Sequence, residues 1–381
     1  FTAKPATSKI RPRISTGSLT KAAEGQIIRT CSLFAFVLAS TAAVSPADAT
    51  TRLDSARVYL EARAAAIDGN HSRSARLLAE IVDSNSAGQT ITRQAVSQAI
   101  SAGDMKLALR LAKSLPESSV PIDARLLQVG DALRSNNERT ALALLQKPVE
   151  GGDVTFLRPF MEAWAAADDR DLGRALAALN AMSSRNLLVA LVPEHRALIL
   201  LKFGKIAEAD TYVQQSLKIA GGREQRLRLA FADAYLAAGD RTRALAIADG
   251  LGPDAGRVRA RIAEGRFSMA RLDNSRRAFS ELLIVLAAEL NQLRNETMPI
   301  ALSQIARFTA PENSSTAIML GLMLNPRDRV DAALEAFRSV PPTDGFAGRA
   351  RDGEVRVLVG ADRKAEAVQA AQRAIATGLT T

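Results

Sequence analysis

Glu194-His195 is the place in this sequence where acid–base chemistry would first be sought, because a carboxylate beside an imidazole can orient and charge a general base. No second histidine or nucleophile stands at productive spacing. The two histidines, His71 and His195, lie 124 residues apart with no partner at i+3 or i+4, so neither a His-based triad nor a zinc site is expected. Asp168, Asp169 and Asp171 resemble half of a calcium loop, but Leu172 to Arg174 supply no ligands and the closing glutamate is missing; the run reads as a loop and helix N-cap. Gly221-Gly222 lacks the Lys-Ser/Thr of a phosphate loop, and Gly151-Gly152 lacks the strand and third glycine of a dinucleotide fingerprint. No serine sits in a Gly-x-Ser-x-Gly elbow. The single cysteine, Cys31, lies in the leader, which leaves the rest of the chain no disulfide, thiolate metal site or cysteine nucleophile. The expectation is a chain that is not an enzyme and carries no cofactor or metal.

Whatever chemistry remains must be positioned by helices. Of the 381 residues, 47% are hydrophobic but only 4% aromatic, so the apolar content is mostly Ala, Leu, Val and Ile. Ala, Leu, Arg, Glu and Gln lose little entropy in a helix, whereas sheets favour β-branched and aromatic side chains; an all-α chain follows. The net charge of +10 falls partly in residues 1–49, which hold six basic and two acidic residues. The other 332 residues carry 44 basic against 38 acidic, interspersed rather than blocked, which reads as a solvated helical surface and not a nucleic-acid footprint.

Residues 1–49 read as a leader. Cys31 to Val44 is an apolar run of signal-peptide length behind basic residues, and Ala47-Asp48-Ala49 places small residues for cleavage before Thr50. Fourteen residues fall short of the roughly 20 that span hydrocarbon, so a retained membrane anchor is the weaker alternative. Arg29 and Thr30 before Cys31 do not make a lipobox. The first 25 or so residues, starting at Phe1, read as an upstream extension. Ser280 to Leu290 is the only other long apolar stretch, and Glu281 and Glu289 interrupt it, which favours a buried helix.

Self-similarity organises residues 50–381. Ala230 to Ala248 shows a small residue, an aromatic, a Gly239-Asp240 turn, then Ala244 and Ala248 at +5 and +9 from the glycine. Gly103-Asp104 repeats this with Ala108 and Ala112, and Gly204-Lys205 repeats its first part with Ala209. Gly321, Ala333 and Phe337 mark another unit, closed by Pro341-Pro342. These offsets resemble the tetratricopeptide repeat (TPR) family over most of residues 55 to 377. The resemblance implies a right-handed superhelical α-solenoid of antiparallel helix pairs, with a small residue in each first helix admitting the second and a left-handed turn between them. The register places pairs near 55–83, 90–115, 121–146, 156–181, 191–217, 224–250, 314–340 and 347–377. Asn70, Asn136, Arg170 and Asp362 stand where glycine is usual. Thus residues 50–254 and 311–381 are expected to be repeats, the latter shortened at its C-terminus, with a degenerate unit or long-helix insertion at 255–310.

The resemblance further implies a concave groove lined by first-helix side chains that grips a partner protein or peptide. Transferring the register gives Arg93, Phe160, Trp164, Glu194, Leu198, Lys202, Arg226, Leu229, Asp233 and Ile318 as candidate partner-binding residues. Phe160 and Trp164, spaced i and i+4, equally fit inter-repeat packing, and Arg93, Lys202 and Arg226 equally fit ordinary solvated charges. The reading is a non-catalytic protein-interaction scaffold, periplasmic or secreted in a bacterium, touching membrane only through an uncleaved leader. The alternative is an envelope hydrolase or carbohydrate-processing accessory, which requires two carboxylates facing each other across the groove.

Overall fold

A computed structural model describes residues 46–84, 87–265, 271–293, 297–325 and 329–379. The apolar run of the leader lies outside these residues, and Ala47-Asp48-Ala49 falls in the first turn of the first helix. Pro46–Thr381 forms one compact unit. Its α-helices come largely in antiparallel pairs: α1 (Pro46–Ile67) with α2 (His71–Asp83), α3 (Gln89–Ala102) with α4 (Met105–Ala112), and α5 (Ile122–Arg134) with α6 (Glu138–Leu144). Next come α7 (Arg158–Asp168) with α8 (Leu172–Asn180), α9 (Val192–Lys202) with α10 (Ile206–Ile219), and α11 (Glu224–Ala237) with α12 (Arg241–Ala248). After α13 (Ala255–Ala263) and a longer pair, α14 (Ser275–Gln292) with α15 (Met298–Thr309), the array resumes. Its last members are α16 (Ser314–Leu324) with α17 (Val330–Arg338) and α18 (Ala347–Gly360) with α19 (Lys364–Ala376). From α1 to α13, and again from α14–α15 to α18–α19, each pair packs on the next, the arrangement of an α-solenoid. Among the described residues the β pairing is two isolated bridges, Pro121 with Glu150 and Val149 with Gly152.

The turns within pairs explain why the sequence breaks where it does. Gly103, Gly204 and Gly239 adopt φ of 82°, 68° and 88°, the left-handed conformation that reverses the chain after a first helix. The following Asp104 and Asp240 then accept from the backbone N–H of Leu107 (3.0 Å) and Arg243 (2.9 Å), capping the second helix. Asp171 caps α8 in the same way through Arg174 N–H at 2.9 Å. Asn136, Arg170 and Asp362 occupy the left-handed position at φ of 51°, 64° and 56°. Asn70 does not: Gly69 takes that position at φ 73°, and Asn70 is the cap of α2. A side chain in the left-handed region costs of order 1 kcal/mol, least for Asn. Asp362→Gly, at an exposed position, is therefore expected to stabilise the chain by about 0.5–1 kcal/mol, read as a raised urea midpoint at unchanged slope.

Small residues set the packing distances. A Cβ added to Gly321 or Gly353 would stand 2.6 Å and 2.5 Å from the Phe337 ring, so α17 inserts that ring between α16 and α18 where both lack side chains.

The α14–α15 hairpin does not continue the row of repeats. It turns back and lies across the first helices α3, α5 and α7. Gly130 on α5 is the contact point: a Cβ there would meet Thr309 Oγ1 at 2.3 Å and Ile305 at 3.7 Å. Arg134 of α5 donates to the carbonyl of Phe308 and stacks its guanidinium 4.2 Å from that ring's centroid. Arg329, just before α17, donates to the Ser101 carbonyl at 3.2 Å. The open groove expected from the resemblance is thus occupied over α3, α5 and α7 by the chain's own helices. The physical reason lies in α14 itself, whose Ala278, Phe279, Leu282, Leu283, Ile284, Val285 and Ala287 are all buried and need more apolar surface than one neighbouring pair offers.

Candidate functional site

Eight of the ten expected groove residues are buried: Phe160, Trp164, Glu194, Leu198, Arg226, Leu229, Asp233 and Ile318. As a surface open to a partner along α7, α9 and α11, the set is therefore corrected. Arg93 is half-buried and apart from the rest, paired with Glu150 and donating to Thr90 Oγ1 at 3.2 Å. Lys202 is half-buried and paired with Asp168. Leu229 packs under Gly345, where an added Cβ would lie 3.0 Å from it.

Two polar constellations hold α14 in place. In the first, Glu194 on α9 accepts from Arg223 at 2.6 Å and from Arg226 on α11 at 3.1 Å. Arg226 also pairs with Glu281 of α14, whose other oxygen accepts from Asn313 Nδ2 at 3.2 Å. Burial pushes the Glu194 carboxyl up, but Arg226 and Arg223 outweigh it and hold the group below the ordinary glutamate range. Burial dominates at Glu281, which is raised despite Arg226 and further raised by Glu194. Arg226 is lowered by burial and raised more strongly by its two carboxylates, so it stays charged.

His195 lies under this cluster. It is buried, with its ring centroid 4.7 Å from that of Phe160, and its Nδ1 accepts the Trp164 indole N–H at 2.8 Å. Burial, with the Arg226 and Arg223 charges, depresses its pKa to about 4 against the opposing pull of Glu194. His195 is thus a neutral acceptor inside the core. Glu194-His195 is a packing and ion-pair element.

In the second constellation Asp168, the last residue of α7, takes up the free amide of Ser275 at 2.8 Å and the Ser275 hydroxyl at 2.7 Å, capping α14 from another helix. Its other oxygen pairs with Lys202, which also donates to the Asp273 carbonyl at 2.7 Å. Asp233 on α11 is fully buried and receives Arg271 Nε at 3.3 Å, and burial raises its carboxyl above the ordinary aspartate range. Leu198, Lys202 and Asp233 meet here in the wall of a cleft of about 370 Å³.

A larger cleft of about 580 Å³ opens where α11 and the short helical segment Asp249–Asp254 face α16 and α18. Leu251, Pro253, Ile318, Leu322 and Phe337 give it an apolar wall, and Glu224, Asp254, Asp352, Arg349 and Arg356 a mixed-charge rim. Ile318 is the one expected groove residue in it. Leu322, one turn further along α16, is 39% exposed.

Sequence reasoning missed Arg223, Arg271, Ser275 and Glu281. Glu281 had a signal: it sits on the apolar stripe of α14 instead of its wet face, and a carboxylate there needs a buried cation.

Searched against protein-family models and against curated proteins, the chain matches none. Among solved structures it is similar to the TPR domain of P58(IPK), at 15% sequence identity over 83% of this chain and 91% of that chain, with a TM-score of 0.25.

Proposed function

We propose that this chain is a non-catalytic protein-interaction scaffold, exported to the bacterial cell envelope, and that it receives its partner in the cleft between α11 and α16–α18. The observation that carries this reading is the contrast between two faces: over α3, α5 and α7 the inner surface is filled by α14–α15, while the cleft of about 580 Å³ leaves Leu322 exposed in its apolar wall. The partner is an extended segment that seats an apolar side chain against Leu322 and a carboxylate against Arg349 or Arg356. Support for a binding role over a catalytic one comes from the carboxylates themselves. Asp168 has both oxygens engaged by Ser275 and Lys202, and Glu194 has both engaged by arginines, so neither is free to shuttle protons.

The reading is tested with a photo-crosslinking residue at Leu322 and with Leu322→Glu, each incubated with envelope extract of the source bacterium. The expected result is one dominant crosslinked partner whose recovery falls at least about tenfold with Leu322→Glu, since a buried charge would replace an apolar anchor. Equal recovery by Leu322→Glu and wild type contradicts the assignment. N-terminal sequencing of the exported chain, expected to begin near Thr50, checks the location.

A further inference from the structure

The cleft of about 370 Å³ beside α7, α9 and α11 has features that a partner-binding scaffold does not use. Asp233 is fully buried in its wall, yet its Oδ1 accepts no hydrogen bond from any group among the described residues. A buried carboxylate oxygen without a donor is destabilising, and a donor supplied from outside would satisfy it. Its other oxygen is held 3.3 Å from Arg271 Nε. Arg271 Nε carries this bond and a second ion pair, with Asp273 at 3.7 Å, while the terminal nitrogens of Arg271 and the guanidinium of Arg170, on the same cleft, make no hydrogen bond among the described residues. Arg170 is also one of the three non-glycine residues held in the left-handed conformation among the described residues, at φ 64° in the turn after α7. The apolar part of the cleft's lining is Leu198, Leu201, Ala234, Ala237 and Leu272.

A ligand matching this wall has a donor cation for Asp233 Oδ1, an anion for Arg271 or Arg170 and an aliphatic body. Because Arg271 already touches the Asp233 carboxylate, cation and anion must be separated by only a few bonds. We propose that the cleft binds the zwitterion of a free aliphatic α-amino acid, its ammonium on Asp233, its carboxylate on the Arg271 guanidinium and its side chain on Leu198 and Leu201. Asp233 enters from α11 and Arg271 from the segment leading into α14, so the ligand ties the α14 helix to the repeat array. Lys202 and Asp168 satisfy one another in the same wall and leave the ligand to the other pair. The raised carboxyl of Asp233 fits this role, since an ammonium would supply the positive charge that burial denies it.

The probe is L-leucine, titrated calorimetrically into the intact protein and followed in parallel by emission of Trp164, the only tryptophan, whose ring centroid lies 6.0 Å from Lys202 Nζ. Isoamylamine, which lacks the carboxylate, and 4-methylpentanoate, which lacks the ammonium, are the controls. Saturable binding of leucine is expected, at least about tenfold weaker for each control and for Asp233→Asn and Arg271→Gln. Arg271 is substantially exposed, so its variant folds even where Asp233→Asn perturbs the core. Absence of leucine binding at about 10 mM, equal binding of leucine and isoamylamine, or unchanged affinity in Arg271→Gln overturns the proposal. None of these outcomes bears on the Leu322 cleft, which shares no residue with this one.

Discussion

Arg226→Met is expected to destabilise the chain by about 3–5 kcal/mol, because it leaves Glu194 and Glu281 facing each other in the interior with one of their two cations gone. The loss arises from the carboxylates left behind more than from the bond removed. Burying a carboxylate carries a desolvation penalty that only a well-placed counter-charge offsets, and Glu281 has Arg226 as its ion-pair partner among the described residues. Adding Glu194→Gln and Glu281→Gln to Arg226→Met removes those charges, and the triple variant should regain most of the lost stability. Urea unfolding of the single and triple variants separates the two contributions. If Arg226→Met is neutral, the cluster is not buried and Glu281 of α14 does not reach Arg226.

The second large effect is a loss of stability in acid that belongs to His195. Its folded pKa of about 4 lies below the value near 6.5 expected when the chain is unfolded. Between these values the unfolded chain binds a proton that the folded chain does not, so stability falls as pH drops from 6.5 towards 4. The contribution over that range is about 3 kcal/mol. Asp123, Asp233 and Glu281, all raised by burial, act with the opposite sign, since they take up protons more readily when folded. The difference between wild type and His195→Asn isolates the histidine. The asparagine oxygen can still accept the Trp164 indole N–H but does not titrate. The expected outcome is that wild type loses about 3 kcal/mol more than His195→Asn between pH 7 and 4, measured by denaturant unfolding at each pH. Parallel pH profiles would place the His195 ring in water.

The reversals between paired helices were legible in the sequence. Gly103, Gly204 and Gly239 announce them, because a left-handed residue followed by a capping aspartate, as at Gly103 and Gly239, has few other uses. Even the non-glycine reversals at Asn136, Arg170 and Asp362 could be located by register alone. Asn70 falls one residue past its reversal because Gly69 and Asn70 both suit a turn, and only the backbone decides which reverses and which caps. The same register identified side chains on the inner faces of α7, α9 and α11, but it could not say what lies against them. An apolar stripe on a helix states that something covers it, and α14 carries a stripe that serves equally well against the next repeat or against repeats far back in the chain. That choice depends on long-range contacts: Asp168 with Ser275 and Arg226 with Glu281 join positions with no pattern in common. Arg226 and Glu281 each looked like a solvated charge or an interruption when read alone.

The occupied inner face also limits what the helical array can hold. A peptide could enter along α3, α5 and α7 only by displacing α14–α15 and uncovering most of the α14 apolar stripe, which would cost far more than a short segment returns. Binding at the α11–α16–α18 cleft carries no such cost.

The most direct measurement of the seating of α14–α15 is a double-mutant cycle between Gly130 and Thr309, 179 positions apart in the chain and in contact only if the hairpin folds back. With Thr309 present, Gly130→Ala should destabilise by about 1–3 kcal/mol, because the new methyl would overlap the Thr309 hydroxyl. In a Thr309→Ala background the same change should become neutral or stabilising by up to about 1 kcal/mol, the ordinary gain of alanine over glycine inside a helix. A Gly130→Ala that stabilises equally in both backgrounds would show that α15 is not on α5, and the repeat groove would then be open.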